Sequence, residues 1–212
     1  MGIKYVIFDV GGVCYPYSLN PLDEWALENS KDKETLIEKG GVKSFDYNPY
    51  MKGQVDFEEF CKQLCEHCLV DYNKNLKAVI NKKLHKGVGE FFAETLEVMN
   101  EIKKRGIKVG LLSNALPCLE DTADCLVEKE FCFVSYELGC LKPDKEIYLK
   151  LVDKLSCKPE DIIFVDDKEK NVESAKKLGI KGVVYNKETI KKEVFSIINL
   201  CDGKNLKNVL EM

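Results

Sequence analysis

Three apolar runs, each ending abruptly on a polar residue, constrain the fold of this chain more than any other feature. IKYVIF at 3–8 stops at Asp9, IKVGLL at 107–112 stops at Ser113-Asn114, and IIFV at 162–165 stops at Asp166-Asp167. Two shorter runs, FCFV at 131–134 and GVVY at 182–185, are of the same kind. Near-continuous runs of β-branched and aromatic residues suit strands of a parallel sheet covered on both faces, because neither side of such a strand meets water.

Helical patterns lie between the runs. FFAETLEVMNEIKKRG places apolar residues at 91, 92, 96, 99 and 102 and closes on Lys103, Lys104, Arg105 and Gly106, a helix C-terminal signature. Residues 144–155 carry Ile147, Leu151 and Leu155 on one stripe, and 171–179 end in Lys-Lys-Leu-Gly. This alternation predicts a doubly wound α/β domain with a parallel sheet. Residues 15–87 differ: no strand-like run stands out, apolar residues recur at helical spacing as in DFEEFCKQLC, and turns fall at Asn20-Pro21, Gly40-Gly41, Asn48-Pro49 and Gly53. The predicted organisation is an α/β core of residues 1–14 and 88–212, with 15–87 inserted as a helical cap.

The 212-residue length allows one substantial domain, or a core with a small insert, and 45% apolar residues are those of an ordinary globular protein. With a net charge of -4 and no long basic run, bulk electrostatics suggest neither nucleic acid nor an anionic membrane as partner. MGIKYVIFDVGGV has no basic n-region and its apolar run is broken by Asp9, so it reads as a buried strand and the chain is expected in the cytoplasm. Ten cysteines scattered through helix and strand patterns are expected as reduced, packed thiols. Cys61, Cys65 and Cys68 have a spacing that can hold a metal cluster. They share one face of a helical pattern with Phe57 and Leu64, which packing explains, and one helix bearing them and His67 closes a tetrahedron awkwardly.

In a parallel α/β sheet the carboxyl ends of the strands border the ligand crevice. Asp9, Ser113, Lys142 and the Asp166-Asp167 pair all follow predicted strands or lie in a loop after one, so distant positions converge. An aspartate can attack phosphorus and divide a hard displacement into two easier ones. Clustered carboxylates suit Mg²⁺, and a lysine and a serine can offset and hold phosphate charge.

VIFDVGGV, LLSNA, GCLKPDKEIY and FVDDKEKNV resemble, in order and spacing, the four motifs of the haloacid dehalogenase-like (HAD) hydrolases over nearly the whole chain. The resemblance implies a Rossmann-like core and a Mg²⁺-dependent phosphatase acting on a small phosphorylated substrate. It makes Asp9 the nucleophile and a metal ligand, the Gly11 carbonyl a further ligand, Asp167 a direct ligand and Asp166 a ligand or its neighbour. Lys142 is then catalytic, with Ser113 and Asn114 binding substrate, and 15–87 sits where one subgroup carries a mobile cap.

One departure matters. The family's phosphatases usually carry a second Asp two positions after the nucleophile as general acid and base, and here that position is Gly11. A well-placed proton donor contributes about 10²–10⁴-fold in rate. Its loss favours good leaving groups, such as an anomeric sugar phosphate, an aryl phosphate or an acyl phosphate. Two alternatives follow: a 2-haloacid dehalogenase, which needs no metal, and a non-catalytic HAD scaffold that binds a ligand or partner. The Asp pair at 166–167 argues against the dehalogenase, since uncompensated carboxylates repel an anionic haloacid.

Overall fold

The computed structural model describes residues 2–123 and 125–203; the end of the expected core, 204–212, lies outside the described residues. Five strands form one parallel sheet: β1 (Tyr5–Phe8), β2 (Lys108–Ser113), β3 (Cys132–Val134), β4 (Ile162–Asp166) and β5 (Lys181–Val184), in the order β3-β2-β1-β4-β5. The chain winds outward from β1 to β3, then crosses back to β4, so the switch point falls between β1 and β4.

The period-2 alternation of each strand builds two cores. Val6, Phe8, Val109, Leu111, Ile163 and Val165 face one side, where Val98 and Ile102 of α6 (Ala93–Lys104) and Val194 and Ile198 of α10 (Ile190–Cys201) pack. Ile7, Leu112, Ile162 and Phe164 face the other, against Ile147, Tyr148 and Leu151 of α8 (Lys145–Leu155) and Ala175 of α9 (Glu169–Lys176). Burying each large side chain stabilises the fold by roughly 1.5–3 kcal/mol, so both layers are needed. Ile190, Val194 and Ile198 of α10 have helical spacing that the sequence reading did not pick out.

Between β1 and α6 the chain forms α1 (Asn20–Asn29), α2 (Lys33–Glu38), α3 (Asn48–Met51), α4 (Phe57–His67) and α5 (Leu76–Lys86). α4 starts at Asp56, whose side chain accepts the Glu59 N–H at 2.8 Å. Leu22, Trp25, Leu36, Phe60, Leu64, Ile80 and Leu84 make a third core, which Leu116 and Leu119 from the segment after β2 join. The two segments linking this helical layer to the sheet form an isolated antiparallel bridge at Tyr17 and Val88. Gly87 is required there, because a Cβ would lie 2.0 Å from the Ser18 carbonyl oxygen. A short helix, α7 (Ser135–Leu138), follows β3.

Among the described residues no helix is long and apolar enough to cross a membrane. At the amino end of the sheet, Lys4 Nζ donates to Asp161 Oδ2 at 2.8 Å, and that hydrogen bond and charge hold the Asp161 carboxyl below its ordinary range. A depressed carboxylate stabilises the fold above its unfolded pKa and loses that contribution as pH falls through the folded value. Asp161→Asn is therefore expected to lower Tm at pH 7. In thermal melts the gap to the parent closes as pH drops below about 4; a gap independent of pH would remove the ion pair as its cause.

Candidate active site

Strand register brings the acidic residues together. Phe8 pairs with Leu111 and with Val165, and the Asp9 N–H continues the ladder to the Val165 carbonyl at 2.8 Å. Asp9 and Asp166 are therefore next neighbours at the ends of adjacent strands, and two like charges side by side need a cation between them. Lys142 supplies it: its Nζ lies 2.7 Å from Asp9 Oδ1 and 2.8 Å from Asp166 Oδ2, and donates to the Leu112 carbonyl at 2.7 Å. The ammonium donates two hydrogen bonds and pairs ionically with Asp9, and the residue is only 4% exposed. Burial, with the Asp166 charge added and Lys142 opposing, pushes the Asp9 carboxyl above its ordinary range.

The loop after β4 is shaped by the same carboxylate. Asp166 accepts the Lys168 N–H at 2.9 Å and the Asn171 side-chain amide at 2.9 and 3.0 Å, so both its oxygens are engaged. Asn171 is held from α8, where the Tyr148 hydroxyl donates to its carbonyl at 2.8 Å. Asn171 Oδ1 is buried and has no partner. Asp167 turns outward, and its carboxylate passes over Gly12. That glycine has φ of +85°, and a Cβ on it would lie 2.7 Å from Asp167 Oδ2. Gly12→Ala is expected to cost about 1–2 kcal/mol from backbone strain alone and to displace Asp167. Denaturant unfolding checks this, and an unchanged midpoint would contradict the close approach.

Asp9, Gly11, Ser113, Asn114, Lys142 and Asp167 all line one cavity of about 560 Å³ at the carboxyl ends of the strands. Asp166, fully buried behind Lys142 and Asn171, is the one expected residue that does not reach its wall. Asn114 turns both ends of its amide to the Lys142 main chain, accepting its N–H at 2.8 Å and donating to its carbonyl at 2.9 Å. Among the described residues, the carboxylates of Asp9, Asp166 and Asp167 form the only group of three or more acidic, histidine or cysteine ligands close enough to share an ion. Their oxygens come within 4.8 Å of one another.

Sequence reading missed Tyr17, Phe92, Lys168, Lys170 and Asn171, which also line the cavity. Asn171 was legible as a polar residue in the first turn after the Asp pair; the lysines were indistinguishable from solvated charge. The cysteines do not gather ligands: Cys61, Cys65 and Cys68 are buried in the helical layer, where burial pushes their thiols up to about 12, 11 and 12. His67 instead bonds the Gly41 carbonyl at 3.0 Å and lies edge-on to Phe45. Cys14, beside the first motif, is enclosed and donates to the Asp9 carbonyl at 3.2 Å, and burial raises its thiol well above the reactive range.

Known proteins resemble this chain in sequence and in fold. The chain is 25% identical over 210 residues to mouse acyl-CoA dehydrogenase family member 10, covering 92% of this chain but only 19% of that protein, about a fifth of its length. It is 27% identical over 194 residues to D-ribitol-5-phosphate phosphatase of Bacteroides thetaiotaomicron, covering 84% of this chain and 90% of that one. In fold it is similar to a HAD family enzyme of Bacteroides thetaiotaomicron solved in complex with magnesium and inorganic phosphate. The TM-score is 0.73 at 20% identity, over 92% of this chain and 100% of the other. With the sheet order, the motif residues at its carboxyl end and a match of residues 3–179 to the family's sequence model, this chain belongs to the haloacid dehalogenase-like hydrolases.

Proposed function

We propose that this hydrolase is a Mg²⁺-dependent phosphatase of a small phosphorylated metabolite, working through a phospho-aspartyl intermediate on Asp9. The observation that carries the reading is the meeting of Asp9, Asp166 and Asp167 with the ammonium of Lys142 beside one cavity. The donor set fits a hard divalent ion. Three carboxylates gathered beside one buried ammonium offer oxygen, the ligand such an ion takes. Asp9, Asp167 and the Gly11 carbonyl would hold it. Asp166, its oxygens already engaged, would orient Lys142 and Asn171 from behind. When bound, Mg²⁺ offsets the repulsion between the Asp9 carboxylate and a phosphate dianion.

An Asp9 oxygen attacks phosphorus, and the bond to the leaving oxygen breaks with its electron pair. Water then cleaves the acyl phosphate, releasing phosphate and restoring Asp9. Lys142 fixes the Asp9 carboxylate for attack, while Ser113, Lys168 and Lys170 offer a donor and positive charge to the phosphoryl oxygens. In this reading 15–87 is a cap over the site, and 1–14 with 88–212 is the core that holds it. The likeness to a protein named as a D-ribitol-5-phosphate phosphatase supports a small phosphate monoester as substrate.

The test is phosphate release from aryl and sugar phosphates with Mg²⁺, with EDTA, and with Mg²⁺ restored. Release that stops with chelator and returns with the ion is the expected result. Release indifferent to EDTA would take the metal out of the mechanism, and no release from any ester by folded protein would remove the reading. Halide release from a 2-haloacid in EDTA would instead point to the dehalogenase.

A further inference from the structure

A second cavity, of about 290 Å³, opens beside the first between the carboxyl end of the sheet and the helical layer. The two adjoin, and Gly11, Tyr17, Ser113, Asn114 and Lys168 line both. Its far wall is apolar: Val10, Met51, Leu116, Leu119, Ala123 and Val134. Its polar groups are largely turned on one another. The Tyr15 hydroxyl and Thr122 Oγ1 lie 2.7 Å apart, Thr122 Oγ1 donates to the Leu119 carbonyl at 2.8 Å, and the Tyr47 hydroxyl donates to the Val42 carbonyl at 3.0 Å. Of the lining tyrosines Tyr17 differs, since its buried hydroxyl has no partner, and the charged Glu120 and Lys168 side chains that also border the cavity are exposed to solvent. A sugar brings several hydroxyls, each costly to bury unpaired, and this wall has little to pair them with.

We propose that this second cavity is the leaving-group site and that it takes an aryl or comparably apolar group. The proposal rests on the phosphatase reading for its chemistry, but its ligand preference can be measured without turnover. Position 11 agrees with it. A side chain there would point towards Tyr17, with the nearest atom, Tyr17 Cβ, 3.7 Å from the added Cβ, and glycine leaves that space open between phosphate and cavity. With no carboxyl at 11 to protonate the leaving oxygen, an aryl oxygen departs with its electron pair as a stable aryloxide and takes its proton from solvent afterwards. The sugar-phosphate option among good leaving groups thus gives way to the aryl one.

The test compares kcat/KM for 1-naphthyl phosphate and D-glucose 1-phosphate in the native protein and in Ala123→Leu, which fills part of the apolar end. The native protein is expected to favour the naphthyl ester by at least about tenfold, and Ala123→Leu to lower that substrate alone by about tenfold. Inhibition by inorganic phosphate should be unchanged in the variant. A native preference for glucose 1-phosphate, or equal loss of both substrates in a variant that still binds phosphate, overturns the proposal. Calorimetry on the native protein needs neither folding of the variant nor turnover. Naphthylmethylphosphonate binding at least about tenfold tighter than methylphosphonate supports the cavity even if no ester is hydrolysed, in which case only the phosphatase reading falls. Equal affinity sinks the cavity assignment while leaving phosphatase activity standing.

Discussion

Asp9→Asn is expected to abolish phosphate release, lowering kcat by about 10⁴-fold or more, while the protein still folds. The amide has nearly the shape of the carboxylate, and its oxygen can still accept the Val10 N–H and the Lys142 ammonium that Asp9 Oδ1 accepts at 2.7 Å each. What it lacks is the charge that makes the oxygen a nucleophile. Replacing a buried carboxylate beside Asp166 also removes a like-charge contact, so the thermal midpoint should hold or rise. Phosphate release at near-parental rate by a folded Asp9→Asn protein would end the covalent mechanism. A variant that unfolds would instead show that the carboxylate is structural.

Lys142→Met should have the opposite balance, a large loss of stability together with loss of activity. Methionine keeps much of the side-chain volume and removes the charge, leaving Asp9 and Asp166 as two buried carboxylates with no cation between them. Breaking a buried ion pair by removing one partner typically costs about 3–5 kcal/mol, because the remaining charge stays out of water. The Leu112 carbonyl loses its donor as well. Denaturant unfolding in EDTA, where no added ion can substitute for the ammonium, gives the cleanest reading. A change below about 1 kcal/mol would mean that the two carboxylates do not depend on Lys142, and the electrostatic account of the site would fail.

Much of this architecture was legible because hydrophobic pattern is local. The runs ending at Asp9, Ser113 and Asp166 became β1, β2 and β4, and the shorter runs became β3 and β5, each within a residue or two. Helices at 93–104 and 145–155 fall inside the predicted stretches, since their apolar stripes and basic or αL ends are written in consecutive residues. Absence of strand runs between 15 and 87 likewise anticipated α1 to α5. The α10 helix carries the same apolar spacing at Ile190, Val194 and Ile198 but lies beyond the last chemistry-bearing motif.

Strand ends, and the order of acidic and basic residues along the chain, are written locally, and with them the family. Which of these residues touch depends on the folded whole. That Lys142 lies between Asp9 and Asp166 follows from parallel register and a crossover, neither of which is encoded at any single position. Asn114 lines the cavity and also holds the Lys142 main chain, while Asn171 and Tyr17 carry unpartnered buried atoms that no local pattern reveals. The physical reason is range: propensity and periodicity act over a few residues, whereas burial, charge pairing and cavity shape depend on groups brought together from across the whole chain.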